Sequence, residues 1–319
     1  MKESTMPRFA FKYIFLSLLT ASLFASCGSQ KNASDSEKLL VVATTTIVAD
    51  VVQQIGGESI ELATLLPIGA DPHSFSPSPA DMMAIADADL VFANGAGLEE
   101  FLEPLIAGAD AEEKVIQVSD GIALIANEAE NTEGASDEDG HPHEAGDPHT
   151  WTDPNNVIIW SNAIQSALSK ADPQNASVYQ QNADAYAQKM SELDAWIQQE
   201  VARIPESNRQ LVTDHQQFSY FSSRYGFTEI GFIIPSFSTM SETSANDLAG
   251  LIDIIKEQNI TAIFIGNTIN PNLADQITHE TGVEIYNLYT GSLSEPGGEA
   301  DTYIKYIQYN VSTIVEALR

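Results

Sequence analysis

Asp172–Pro205, DPQNASVYQQNADAYAQKMSELDAWIQQEVARIP, decides the fold. Tyr179, Ala183, Tyr186, Met190, Leu193, Ile197, Val201 and Ile204 recur at steps of three and four, the spacing of one helix face. Asp172-Pro173 opens the pattern and Pro205 closes it. From Pro173 to Ile204 such a helix would measure roughly 48 Å at ~1.5 Å per residue. That is more than one small layer needs, and it suits a helix spanning two lobes.

Working outward, strand and helix signals alternate on both sides. Towards the N-terminus, Leu39–Thr45 reads as a strand, Ile47–Ile55 as a helix stopped by Gly56-Gly57, and Ile60–Leu66 as a strand. Pro79–Ala88 reads as a short helix capped by Ser78, Leu90–Ala93 as a strand, Leu98–Ile106 as a helix and Val115–Val118 as a strand. Asn127–Gly146 lacks periodicity and is rich in Glu, Asp, Gly and His, so it reads as a long loop. A helix follows Asp153-Pro154 and runs to about Lys170. Towards the C-terminus, strands are predicted at Leu211–Thr213, Ile230–Ile234, Ile260–Ile265 and Val283–Leu288. Helices are predicted at Phe218–Tyr225, Ala245–Lys256, Leu273–Thr278 and Asp301–Leu318.

Such alternation implies parallel βαβ units. The expected fold is α/β: two βα lobes with parallel-type sheets, joined by a long rigid helix. The expected boundaries are a first lobe over 38–171 (with the acidic loop 127–146), a linking helix over 172–205 and a second lobe over 206–319. No sequence repeat relates the two halves.

Three histidines with an acid close before them punctuate this pattern: Asp71-Pro72-His73, Asp147-Pro148-His149 and Asp214-His215. All three sit at carboxyl ends of predicted strands, where α/β folds bind ligands. Imidazole is a common zinc ligand, and a ligating histidine usually gives its other ring N–H to a carboxylate or carbonyl. Each histidine alone is more often an ordinary surface or core residue. As a set of three they predict one metal site in the interlobe cleft. His141 and His143, in the loop, are candidate accessory ligands. His279, beside Glu280, reads as an exposed side chain.

The 319 residues carry 45 acidic and 14 basic side chains, a net charge of −31. Nucleic acid needs a basic footprint, so that partner class is excluded. An acidic surface suits a soluble protein or one that attracts cations. Lys2, Arg8 and Lys12 precede the apolar run Tyr13–Ser26, which is too short for a good membrane span and reads as a signal peptide over 1–26. Cys27, the one cysteine, follows Leu23-Phe24-Ala25-Ser26, which resembles a bacterial lipobox. Residues 27–37 then form a lipid-anchored tether.

The segments GADPHSFSPSPAD, DPHTWTDPNN, LVTDHQQFSYFSSRYG and GGEADTYIKYIQYN resemble the metal-binding cluster of ABC-transporter solute-binding proteins of the ZnuA-like and TroA-like group. The resemblance runs from about Leu39 to the end. It implies two α/β lobes bridged by a rigid helix, with one transition-metal ion held between them by His73, His149 and His215. It implies an exported, lipid-anchored receptor at the outer face of the cytoplasmic membrane, with an ABC permease as partner and a divalent transition metal as cargo; the histidine-rich set, with imidazole suiting zinc better than manganese, makes Zn2+ the expected cargo rather than a resident cofactor. Family members often carry a fourth ligand, an aspartate, where this chain has Gly291 in Thr290-Gly291-Ser292-Leu293. Water, His141, His143 or Glu295 could fill that place. The alternatives are a manganese-binding or adhesin-like surface lipoprotein of the same family, and a zinc-dependent hydrolase. Three histidines with an open position also suit zinc-hydroxide chemistry. The absence of a candidate general base or substrate pocket argues for binding without catalysis.

Overall fold

In the computed structural model, Met1 and residues 38–109, 111–126, 146–268 and 272–319 are described. The signal peptide, Cys27, the tether and the loop histidines His141 and His143 lie outside the described residues.

The first lobe is a parallel sheet of β1 (Leu39–Ala43), β2 (Ile60–Thr64), β3 (Leu90–Ala93) and β4 (Val115–Gln117), in the order β2-β1-β3-β4. Between them run α1 (Thr46–Gly56), α2 (Pro79–Asp87) and α3 (Leu102–Ala109). β3 is buried along its whole length, as expected of a strand covered on both faces. The helices start where the sequence supplies caps. The Thr45 side chain accepts the Val48 N–H, and Ser78 with Asp81 forms a reciprocal capping box ahead of Pro79.

The predicted linking helix divides into two kinds of turn. Pro173–Asn175 is a 3-10 turn, and the α-helix proper, α5, is Ala176–Val201. At 26 residues it is about 39 Å long. α4 (Pro154–Ala171) precedes it, with Asp153 as cap and Pro154 in the first turn. The stripe read from sequence is the buried face of α5, from Tyr179 to Val201. It belongs to one continuous core that includes Val41, Phe92 and Trp160 on one side and Phe264, Tyr306 and Ile314 on the other. Both lobes therefore share their largest apolar cluster with the linking helix.

The second lobe repeats the plan. β5 (Gln210–His215), β6 (Thr228–Ile234), β7 (Ala262–Gly266) and β8 (Glu284–Leu288) are parallel in the order β6-β5-β7-β8. α6 (Ser219–Tyr225), α7 (Ala245–Glu257), α8 (Asn272–Thr281) and α9 (Tyr303–Leu318) complete it. Each lobe has its own smaller core on the outer sheet face, around Ile85 and Val91 in the first and Ile233 and Ile263 in the second.

Asp194, at the middle of the buried stripe, ties the parts together. It accepts hydrogen bonds from Asn155 at the start of α4, from the Arg224 guanidinium and from the Tyr225 hydroxyl. Burial pushes its carboxyl up, but these donors outweigh it and hold Asp194 below the usual carboxylate range.

Candidate metal centre

The two sheets present the carboxyl ends of their strands to one another, and the three predicted histidines meet there. His73 lies in the connection after β2, His149 in the segment re-entering after β4, and His215 is the last residue of β5. His149 and His215 are buried, and His73 is partly exposed. Nε2 of His149 is 3.2 Å from Nε2 of His73 and 3.2 Å from Nε2 of His215. Among the described residues, these three form the one group of histidine, cysteine or acidic side chains whose ligand atoms converge to within 4.8 Å of one another.

The neighbours decide what these nitrogens can be. His149 Nδ1 is 2.7 Å from Asp147 Oδ1, and His215 Nδ1 is 2.7 Å from Asp214 Oδ1. A carboxylate can only accept, so each Nδ1 carries the proton and each Nε2 of a neutral ring is a bare lone pair. Burial holds His149 below the usual histidine range even against the pull of Asp147. Burial, and then the charges that His149 and His215 would carry, hold His73 well below it. When both rings are neutral, the Nε2 lone pairs of His149 and His215 face each other at 3.2 Å with no proton between them. A cation seated among them turns that repulsion into ligation. For comparison, a tetrahedral zinc site with bonds of ~2.0–2.1 Å has nitrogen–nitrogen edges of about 3.3–3.4 Å.

The carboxylate partners are themselves fixed. Asp214 also accepts from the backbone N–H groups of His215 and Gly266 and from the Gln217 amide. Asp147 accepts the His149 backbone N–H, while its carbonyl takes the Tyr220 hydroxyl from the second lobe at 2.7 Å. Behind them Glu229 is pushed up to about 7 by burial and the charge of Asp147.

His73 departs from the expected pattern. Asp71 does not hold its ring. It accepts the His73 backbone N–H on one oxygen and the hydroxyls of Ser74 and Thr239 on the other. Thr239 belongs to the second lobe, so Asp71 bridges the cleft. The same Asp-Pro-His tripeptide thus orients an imidazole at 147–149 and a loop at 71–73.

Gly291 does stand at the site, in the small cavity lined by the three histidines, Gln217 and Thr268. Glu295 is exposed and is not part of the converging group, and His279 is also exposed. Gln217, Trp151 and Thr268 escaped the sequence reading. Gln217 carried a signal, since it lies two residues beyond a histidine at a strand end. Trp151, whose ring meets His149 edge-on with centroids 5.2 Å apart, and Thr268 carried none.

Residues 41–317 match the family described as ZnuA, zinc-uptake complex component A, periplasmic. The manganese-binding lipoprotein MntA of Halalkalibacterium halodurans is 33% identical over 310 residues, 96% of this chain and 98% of that protein. The periplasmic zinc binding protein TroA from Treponema pallidum is similar in structure, with a TM-score of 0.78 and 29% identity over 88% of this chain and 99% of that one. A Mn-bound periplasmic metal binding protein from Candidatus Liberibacter asiaticus gives a TM-score of 0.74 at 28% identity, over 88% and 100% of the two chains.

Proposed function

The chain belongs to the zinc-uptake complex component A family, and from that premise we infer that it is an extracytoplasmic receptor that captures a divalent transition-metal ion for import by an ABC permease. The family is one of solute-binding receptors and not of enzymes. The observation that carries the reading is the trio of convergent Nε2 atoms, two of them fixed as lone pairs by buried carboxylates. His73, His149 and His215 are the proposed ligands. Two come from the first lobe and one from the second, so a bound ion cross-links the lobes. The relatives are lipoproteins by name, which supports Cys27 as the acylated residue and the outer face of the membrane as the location.

For the cargo we propose zinc. Three imidazoles and no carboxylate in the inner set suit zinc better than manganese, a harder ion that favours oxygen. Manganese is the second reading, because the names of the Halalkalibacterium protein and of several streptococcal relatives specify that metal. Competition decides between them. Zinc-loaded protein is challenged with manganese, and bound metal is followed by elemental analysis. Retention of zinc against a hundredfold excess of manganese is expected. Displacement at comparable concentrations would replace zinc with manganese as cargo. Absence of tight binding of either ion would sink the receptor reading.

A further inference from the structure

Three nitrogens leave a four-coordinate ion one donor short, and few groups in the cavity can supply it. Gly291 has no side chain, and none fits there. A Cβ at this position would lie 2.7 Å from Cδ of Pro72. The Asp71 carboxylate already accepts from the His73 backbone and from two hydroxyls. The Trp151 indole N–H is donated to the Tyr306 hydroxyl. Among the described residues that line the cavity, what remains is the Thr268 hydroxyl and the Gln217 amide.

Gln217 is buried, lines the cavity and is held in one orientation. Its Nε2 lies 2.6 Å from Asp214 Oδ1. Since that carboxylate can only accept, the amide nitrogen must face it and the amide oxygen must turn away. The cavity that Gln217 lines is the one enclosed by the three histidines. An amide carbonyl is also a better metal donor than an aliphatic hydroxyl, because its oxygen carries more negative charge.

We propose that the amide oxygen of Gln217 is the fourth donor to the captured ion, completing a three-nitrogen, one-oxygen set. This rests on the reading of the three histidines as ligands. All four donors are then neutral. The two positive charges of the ion are balanced by Asp147 and Asp214, both buried one bond further out. A single oxygen makes the site somewhat more tolerant of hard ions than three imidazoles alone. Gln217 is thereby a specificity-determining residue as well as a ligand.

The test combines affinity with a direct view of the ion. Gln217→Ala, Thr268→Ala and His149→Ala are titrated with zinc against a chromophoric chelator, and crystals of zinc-loaded wild type and Gln217→Ala are compared. The expected result is Gln217 Oε1 within ~2.2 Å of zinc in the wild type. In Gln217→Ala a water should replace it, with affinity about ten- to a hundredfold lower. The crystal distance is needed because Gln217→Ala also removes a donor from Asp214, which would lower affinity without any ligation. Water or Thr268 as the fourth ligand in wild-type crystals overturns the proposal, whatever the affinities. If His149→Ala also binds zinc like wild type, the histidine site itself is wrong, a failure distinct from that of Gln217.

Discussion

The two lobes have the same strand order, and they use it differently. In each, the second strand lies at one edge, the first beside it, then the third and fourth. Each therefore offers equivalent places at the carboxyl ends of its strands. After the fourth strand the first lobe supplies His149, whereas the second supplies Gly291. After the second strand the first lobe supplies His73, whereas the second supplies Thr239, which reaches across to Asp71. At the end of the first strand the second lobe supplies His215, and the first lobe has Ala43 and Thr44, a buried residue whose hydroxyl is donated to Glu99. The topology makes sites available in pairs, and side-chain chemistry fills one member of each pair. An asymmetric ligand set also makes the ion a bridge between lobes rather than a guest of either.

Removing ligands from one lobe at a time should have the largest effect. His149→Ala should weaken zinc binding by a hundredfold or more, since its Nε2 contacts both other rings. His215→Ala removes the one imidazole that the second lobe brings to the site and should cost at least tenfold. Calorimetric titration of both variants checks this, and wild-type affinity in either would remove that residue from the site. The pH dependence follows from the same rings. His73 and His149 are held below the ordinary histidine range, so they stay neutral as the pH falls to about 6.5. Protons on His73 and His149 therefore compete with the ion only below that point, and these two rings should cost no affinity between about pH 8 and 6.5. The linkage to stability has the same sign. The unfolded chain binds more protons there than the folded one, so metal-free protein should lose stability as the pH drops below about 6.5. A midpoint of metal release above pH 7 would contradict the lowered histidines.

A smaller effect is expected at the junction of the lobes. Asp194 takes one hydrogen bond from the first lobe, through Asn155, and three from Arg224 and Tyr225 of the second. Asp194→Ala takes this acceptor from Arg224 and Tyr225, while Asn155 keeps Asp153, and should destabilise by about 2 kcal/mol, discounted because Arg224 is partly in water. Urea denaturation measures the loss. Hydrogen exchange should show α6 loosened more than the start of α4, and equal loosening would refute the unequal attachment.

The smallest change is one methyl group. Gly291→Ala places a carbon against the Pro72 ring, which cannot swing aside as a flexible side chain would. The cost should be about 1–2 kcal/mol of stability. Because Pro72 adjoins His73, zinc affinity should fall modestly as well. Unchanged affinity and melting temperature would mean that the gap between Gly291 and Pro72 is wider than the geometry indicates.

The sequence by itself determined much of this protein. Period-two and period-four patterns marked the strands and helices, because burial of one face dictates spacing. The caps Ser78 and Asp153 lie where backbone N–H groups need acceptors. The buried stripe from Tyr179 to Val201 was legible because a helix face repeats locally. The three histidines were legible because each follows or ends a recognisable strand and has an acid close before it. Boundaries were less so: the predicted Leu98–Ile106 helix is Leu102–Ala109, since an apolar run fixes a face and not the first hydrogen-bonded turn. Only the tertiary structure decided which acid serves which ring. Asp147 and Asp214 hold imidazoles, while Asp71, in the same tripeptide as Asp147, holds backbone and hydroxyls. It also decided that Pro72 closes the space beside Gly291 and that Gln217 turns its oxygen free of Asp214. These are contacts between residues 72 and 291, or orientations imposed by a buried partner. Local spacing carries no information about them, because they arise only when two lobes bring distant side chains within hydrogen-bonding reach.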